Sequence, residues 1–276
     1  MMNKTPLAIA MMAVAASFSA QAVPLNFEDS SVIAIFGTGN PNGDFTTDTA
    51  NNIKLGLRAK ERYSLANDQP TSNTFNEGDG TYLHNAGAPA LLPARARWNF
   101  EFSIDINASH DAAFAGSFKD LTYSLGLDKD AGVGTNFFTF DPINVALADH
   151  SFGRSGTAGD TGVTANGAGV EAILAATYAS LIGPASPDEV KTLVQNSSNY
   201  GFFGLAFPFD PTVDGTYTIF LEAFSQGASQ ARTQIDVIVG LGAVAPPPNN
   251  VPEPGSLALV GLALAGLALA RKRKAS

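Results

Sequence analysis

The chain has 276 residues, no cysteine, 16 Lys+Arg against 25 Asp+Glu and a formal charge of −9. Without cysteine there is no disulfide framework, no thiol catalysis and no cysteine-based metal site. The acidic balance excludes the basic footprint that nucleic-acid binding requires.

The elements are taken from the N-terminus. Met1–Thr5 carries one cation, Lys4, and Leu7–Phe18 is an apolar stretch of small and aliphatic residues. Ala20-Gln21-Ala22 has the small-x-small pattern cut by signal peptidase, so residues 1–22 read as a signal peptide for Sec export and Val23 as the mature N-terminus. Residues 25–93 are polar and rich in Asn, Asp, Gly and Thr, with strands expected at Val32–Phe36 and Ile53–Lys60 and an exposed loop at Thr71–Gly80. In Arg97–Ile106 the residues Trp98, Phe100, Phe102, Ile104 and Ile106 alternate with polar ones, which predicts a strand with one buried and one wet face. Leu121, Tyr123, Leu125 and Leu127 repeat the pattern, and Phe137–Phe140 is a short apolar strand. Gly153–Gly169 reads as a loop.

A helical insertion is expected over about 170–196. Val170–Ile182 has helix-compatible spacing, and Ser186-Pro187-Asp188-Glu189 reads as N-cap, Pro at N1 and capping-box Glu ahead of Val190, Leu193 and Val194. The last third returns to β. Thr216–Phe224 and Ala231–Val239 form an antiparallel pair around a loop containing Gly227. The fold class is therefore mainly β: an antiparallel β-sandwich, Ig-like or jelly-roll, over residues 23–242. Ala243–Val251, with Pro246-Pro247-Pro248, is a stiff spacer.

Catalytic, cofactor and metal sites are all expected to be absent. His84, His110 and His150 stand in no metal-binding spacing. Ser109-His110-Asp111 holds the three triad residue types, but sequence neighbours cannot face one another as a triad must. Gly153-Arg154-Ser155-Gly156 departs from the nucleophile elbow at Thr157. Glu101 and Asp105 share one strand face, where solvated carboxylates are expected rather than a glycosidase pair. Asp128 and Asp130 begin like a calcium loop, but Gly132 and Thr139 stand at positions five and twelve, so an acidic turn is expected. Trp98 belongs to the core phase of its strand, while Tyr63, Tyr82 and Tyr178 stay open as surface aromatics.

The C-terminus carries the strongest signal. Val251-Pro252-Glu253-Pro254 leads through Gly255-Ser256-Leu257 into a run that is uncharged to Ala270 and ends in Arg271, Lys272, Arg273 and Lys274. The seventeen uncharged residues Pro254–Ala270 reach about 26 Å as helix, close to a hydrocarbon core of about 30 Å. The basic cluster stays cytoplasmic by the positive-inside rule, so residues 255–270 read as a single transmembrane helix with the preceding domain outside. This tail, 252–276, resembles the PEP-CTERM sorting signal. The resemblance implies an exported protein of a Gram-negative, polysaccharide-producing bacterium, whose tail is recognised at Val251, Pro252, Glu253 and Pro254 by an exosortase-type enzyme of the inner membrane. The segment from Phe209 to Gly240 also resembles the final strands of PEP-CTERM ectodomains.

Without Lys4 and the four terminal cations 11 Lys+Arg remain, and without Glu253 24 Asp+Glu, so the exported part carries about −13. The expected function is a non-enzymatic cell-surface or matrix protein, structural or adhesive, associated with extracellular polysaccharide. The alternative is a glycan-binding module or polysaccharide hydrolase held at the envelope.

Overall fold

The structure is a computed structural model that describes residues 24–36, 43–69, 71, 73–111, 113–132, 134–143, 150–156, 164, 168–172 and 191–240. The signal peptide, Pro-rich spacer and C-terminal tail expected from the sequence lie outside these residues.

Twelve strands form two sheets among the described residues. The first follows the order β1 (Asn26–Asp29), β2 (Phe45–Ala50), β3 (Ile53–Glu61), β5 (Trp98–Asp105), β10 (Leu193–Asn199), β8 (His150–Gly153), β9 (Val170–Ala172). The second follows β4 (Thr81–His84), β12 (Ala228–Val239), β11 (Gly215–Ser225), β6 (Thr122–Asp128), β7 (Phe137–Phe140). The arrangement of the described residues is sandwich-like and mainly β, and their helix is confined to short 3-10 turns such as Tyr200–Phe203.

Inward alternation builds one core. Trp98, Phe100, Phe102 and Ile104 of β5 and Leu55 and Leu57 of β3 pack with Tyr217, Ile219 and Leu221 of β11, Ile235 and Val237 of β12 and Leu125 and Leu127 of β6. Burying side chains of this size contributes about 1.5–3 kcal/mol each before entropy is counted. At one end the core becomes aromatic: Tyr200 lies 5.1 Å from Trp98, 5.2 Å from Tyr217 and 5.4 Å from Phe209. Its buried hydroxyl donates to the Asp128 carbonyl at 2.8 Å, which satisfies the one polar atom the ring carries inward. Trp98 sits in the core, as the alternation of its strand requires.

Several expectations are corrected. The sandwich is mixed, because β4 pairs parallel to β12 (Thr81 with Asp236, His84 with Val239). The long Arg62–Gly80 connection turns back before β4 begins, which reverses the strand that follows. The helical insertion is overturned at both margins. Val170–Ala172 is β9, paired with β8, and Leu193–Asn199 is β10, held between β5 and β8. Residues 173–190, which include the Ser186–Glu189 capping pattern, lie outside the described ones. Backbone pairing to two neighbours overrides the weak helical spacing of this segment. Val32–Phe36 forms no ladder, and it lies instead across the outer face of the first sheet. Tyr200–Phe203 is a 3-10 turn that runs on into a loop.

Asn199 closes the junction of β10 with β5. Its Oδ1 accepts from the Ala96 and Gly201 amides, both at 3.0 Å. Its Nδ2 donates to the Ala96 carbonyl (2.9 Å), the Trp98 carbonyl (3.0 Å) and Asn99 Oδ1 (2.8 Å). Replacing Asn199 with alanine leaves buried backbone groups without partners, each costing about 1–3 kcal/mol. The expected result is a loss of about 2–3 kcal/mol, read as a lower urea midpoint at unchanged slope.

The strands define two ends. At one lie the start of β5 and β11 and the ends of β3, β4, β10 and β12, with Glu61 opposite Trp98, Asn199 opposite Asn99 and Gly215 opposite Val239. At the other lie the Asn51–Asn52 turn, the loop after Asp105 and the Gln226–Gly227 turn, tied by the Asn51 amide donating to the Gln230 carbonyl at 2.9 Å. Both turn pairs adopt left-handed backbone, with φ 52° and 65° at Asn51 and Asn52 and 50° and 80° at Gln226 and Gly227, the conformation that Asn and Gly tolerate best.

Candidate functional site

The outer face of the first sheet is polar but dry. Asn99, Glu101, Ser103 and Asp105 alternate outward from β5 and all are buried, Glu101 to 2 % exposure. The wet face expected from the alternation is thus corrected: polarity is present, and protein takes the place of water. The cover is the Ser30–Phe36 segment. Gln195 of β10 anchors it by accepting from the Ile35 amide (2.8 Å) and donating to the Ile33 carbonyl (2.7 Å) and to Ser103 Oγ (2.9 Å). Lys54 and Asp29 pair at 2.9 Å at the edge of the layer, where Lys54 and the Thr47 hydroxyl, with Ser31, hold the Asp29 carboxyl below its ordinary value against the cost of burial.

At the centre of the layer Arg58 Nε pairs with Glu101 Oε2 at 2.5 Å, both side chains almost fully buried. Arg58 also donates to the Gly43 carbonyl at 2.6 Å and lies 4.2 Å from the centre of the Phe45 ring. Beside the pair, burial lowers the Lys60 ammonium to about 8; the Glu101 charge opposes that shift, and Arg58 and Arg62 add to it. Lys60, Arg62, Thr71, Asn99, Glu101 and Ser197 line a small, shallow cleft, together with Glu61. These residues come from β3, the loop after it, β5 and β10, so no linear motif announces them. A lysine with an ammonium shifted toward neutrality, a carboxylate and two hydroxyls suit hydrogen bonding to a polar ligand.

Of the carboxylates singled out in the sequence, Glu101 lines this cleft while Asp105, Asp128 and Asp130 do not. Glu101 belongs to Arg58, and Asp105 caps the next turn by accepting from the Asn107 amide at 2.9 Å; burial raises the Asp105 carboxyl above its ordinary value. Asp128 Oδ1 accepts the amides of Asp130 (3.0 Å) and Asn136 (2.8 Å), and Asp130 accepts that of Gly132 (2.9 Å). These carboxylates staple the β6–β7 hairpin, an acidic turn as expected from the sequence. Among the described residues no group of three or more His, Asp or Glu is placed to hold a metal.

The three histidines are far apart in the fold. His150 is buried between the Pro142 carbonyl (2.6 Å from Nε2) and the Asn196 amide (2.9 Å from Nδ1), a pairing that suits a neutral ring protonated on Nε2. His110 occupies a left-handed turn position, φ 57°. His84 stacks on Trp98 at 6.0 Å, and both of its ring nitrogens are buried without a close, well-aligned hydrogen bond. Tyr82 is a core residue whose hydroxyl meets Thr46 Oγ1 at 3.2 Å. Tyr63 is half-buried, and Tyr178 lies outside the described residues. So do Ala20 and Ala22, Val251 to Pro254, and Arg271, Lys272, Arg273 and Lys274.

Comparison with known families places one motif on the chain: residues 250–274 match the model of the PEP-CTERM protein-sorting motif. Neither the curated proteins nor the solved structures gave a match. The matched segment contains Val251, Pro252, Glu253, Pro254 and the four terminal cations, the residues on which the resemblance rested. The motif implies an exported protein with a membrane-anchored sorting signal, handled by an exosortase-type system. Among the described residues no helix is long and apolar enough to cross a membrane.

Proposed function

We propose that the chain is a non-enzymatic protein of the bacterial envelope, exported through Sec, freed of residues 1–22 by signal peptidase, and held in the inner membrane by a single helix over 255–270. An exosortase-type enzyme then recognises Val251, Pro252, Glu253 and Pro254 and releases or transfers the β-sandwich to the cell surface or the surrounding polysaccharide matrix. There it serves a structural or adhesive role. The sorting motif at 250–274 is the observation that carries this reading. The absence of an enzymatic role is supported by the use made of the buried carboxylates, since Glu101, Asp105 and Asp128 serve an ion pair, a turn and a hairpin.

The sorting step is tested by replacing Pro252, Glu253 and Pro254 with alanine in the native host. The variant is expected to accumulate in the membrane fraction with its basic tail intact, while the parent chain leaves that fraction. Equal distribution of the two would remove the motif from the sorting mechanism.

A second reading, a glycan-directed module, has the polar lining of the Lys60 cleft in its favour. Retention on immobilised host polysaccharide, lost on Ser197→Ala and Asn99→Ala, is the result that would support it. Among the described residues no aromatic side chain lines that cleft to stack on a sugar ring, and the scaffold reading stands first.

A further inference from the structure

The exposed apolar side chains of the sandwich are concentrated at one end. Six of the nine large hydrophobic residues exposed among the described ones, Leu65, Leu91, Leu92, Phe202, Leu205 and Val213, lie on three loops there. Leu91 is 93 % exposed and Leu205 fully so. The loops are braced rather than loose. Arg97 Nη1 donates to the Ser64 carbonyl (2.8 Å) and Asp68 Oδ1 (2.7 Å), and its Nη2 to the Ala88 carbonyl (3.0 Å). Asp68 Oδ2 accepts the Ala90 amide at 2.7 Å. Arg95 lies 3.8 Å over the Phe202 ring, and the Gly87 amide donates to the Pro211 carbonyl at 2.6 Å. At the opposite end the exposed turn and loop residues include Asn51, Ser109, Asp111, Ala113, Ala115, Gln226 and Gly227, none of them a large hydrophobic residue.

The chain also leaves the sandwich at the apolar end. Val239 pairs with Gly215 and with His84, and the Gly240 amide donates to the His84 carbonyl at 2.8 Å. From Gly240 the sorting motif begins only ten positions further on, at Asn250. We propose that this end of the sandwich rests on a phospholipid surface while the sorting motif is attached, with Leu91, Phe202 and Leu205 inserted at the level of the headgroups. The inference rests on the reading of the tail as a membrane-anchored signal, and it adds which face of the exported domain meets the membrane. Single apolar tips on separate loops fit a fluid surface that yields around each of them, whereas a protein partner would need a fitted pocket for each. Arg95 keeps its cation at the rim beside Phe202, as a residue at an interface does. Because the exported part is acidic, attraction to anionic headgroups does not drive the contact, and added salt is expected to leave it in place.

The test uses the full chain in phospholipid vesicles, with bromine on the acyl chains as quencher. The native Trp98 is buried and gives the same background throughout. In Leu205→Trp the added indole is expected to emit to the blue and to lose at least half of its intensity to brominated lipid. In Ser229→Trp, at the opposite end, it is expected to lose none. Vesicle flotation reports the tail separately. A chain that floats while Leu205→Trp is quenched no more than Ser229→Trp overturns the docking and leaves the anchoring intact. A chain that does not float overturns both. A blue-shifted but unquenched indole in Leu205→Trp signals contact between copies of the chain, and it too overturns the proposal.

Discussion

Glu101→Leu is expected to destabilise the sandwich by about 3–5 kcal/mol, because it removes the carboxylate paired with the buried Arg58 at the centre of the polar layer. Arg58 reaches Glu101 at 2.5 Å with both side chains out of water, and the same charge acts on the buried Lys60. One substitution therefore weakens the compensation of two buried cations. The reverse change, Arg58→Met, is expected to cost less, because Lys60 remains beside the carboxylate and the methionine stem keeps the contact with Phe45. The pair Arg58→Met/Glu101→Leu is expected to be more stable than Glu101→Leu alone, since apolar residues of similar volume replace a buried ion pair at little net cost. Urea midpoints at equal slope measure all three. If Glu101→Leu costs less than about 1 kcal/mol, the pair behaves like an exposed one and the layer is open to water.

The second large effect is a dependence on acid that runs through His84. Its ring is 6 % exposed, between Phe75 and Trp98, and neither nitrogen makes a close, well-aligned hydrogen bond. Burial pushes the imidazole down to about 3, and the Ala59 backbone offsets only part of that. The fold therefore holds the ring neutral, whereas the unfolded chain protonates it near 6.5. Stability from this group is complete above about pH 6.5 and falls as the pH drops from there towards 3, by about 2 kcal/mol at pH 5 and about 5 kcal/mol over the whole window. The buried carboxyls of Asp48, Asp105, Asp128 and Asp236 are raised by burial and act in the opposite sense, favouring the fold as they take up protons. The histidine is isolated by comparing the protein with His84→Phe between pH 7 and 5. The native chain is expected to lose about 2 kcal/mol relative to the variant over that interval. Parallel curves for the two proteins would mean that the ring finds a proton acceptor in the fold.

The inner faces of the strands were legible because each is a local pattern. Trp98, Phe100, Phe102 and Ile104 alternate without a break, and β6, β7, β11 and β12 fall close to their expected bounds. The outer face was misread for a physical reason: the pattern tells that Glu101 and Asp105 need polar partners but not whether water supplies them. Here Arg58 does so for Glu101, and the Asn107 amide and Ser155 side chain for Asp105, while Gln195 takes up Ser103 and the Ser30–Phe36 segment. The same segment has the look of a strand because Val32, Ile33, Ile35 and Phe36 are apolar, yet its backbone bonds run to the Gln195 side chain and the Gly169 amide. Strand β10, with the sequence Leu-Val-Gln-Asn-Ser-Ser-Asn, has almost no alternation of its own, and only its neighbours make it β. The cleft at Lys60 was invisible because Lys60, Thr71, Asn99 and Ser197 meet only in three dimensions. The sorting motif was readable because it is linear, with its chemistry in consecutive residues.

The central claim is that the tail sends this domain out and is then cut. Its most direct test is the intact mass of the protein from its native host, taken separately from membrane and medium. The account predicts a species outside the membrane that begins at Val23 and ends close to Pro252–Pro254. A sole species that stays in the membrane and still carries Arg271–Lys274 would contradict it.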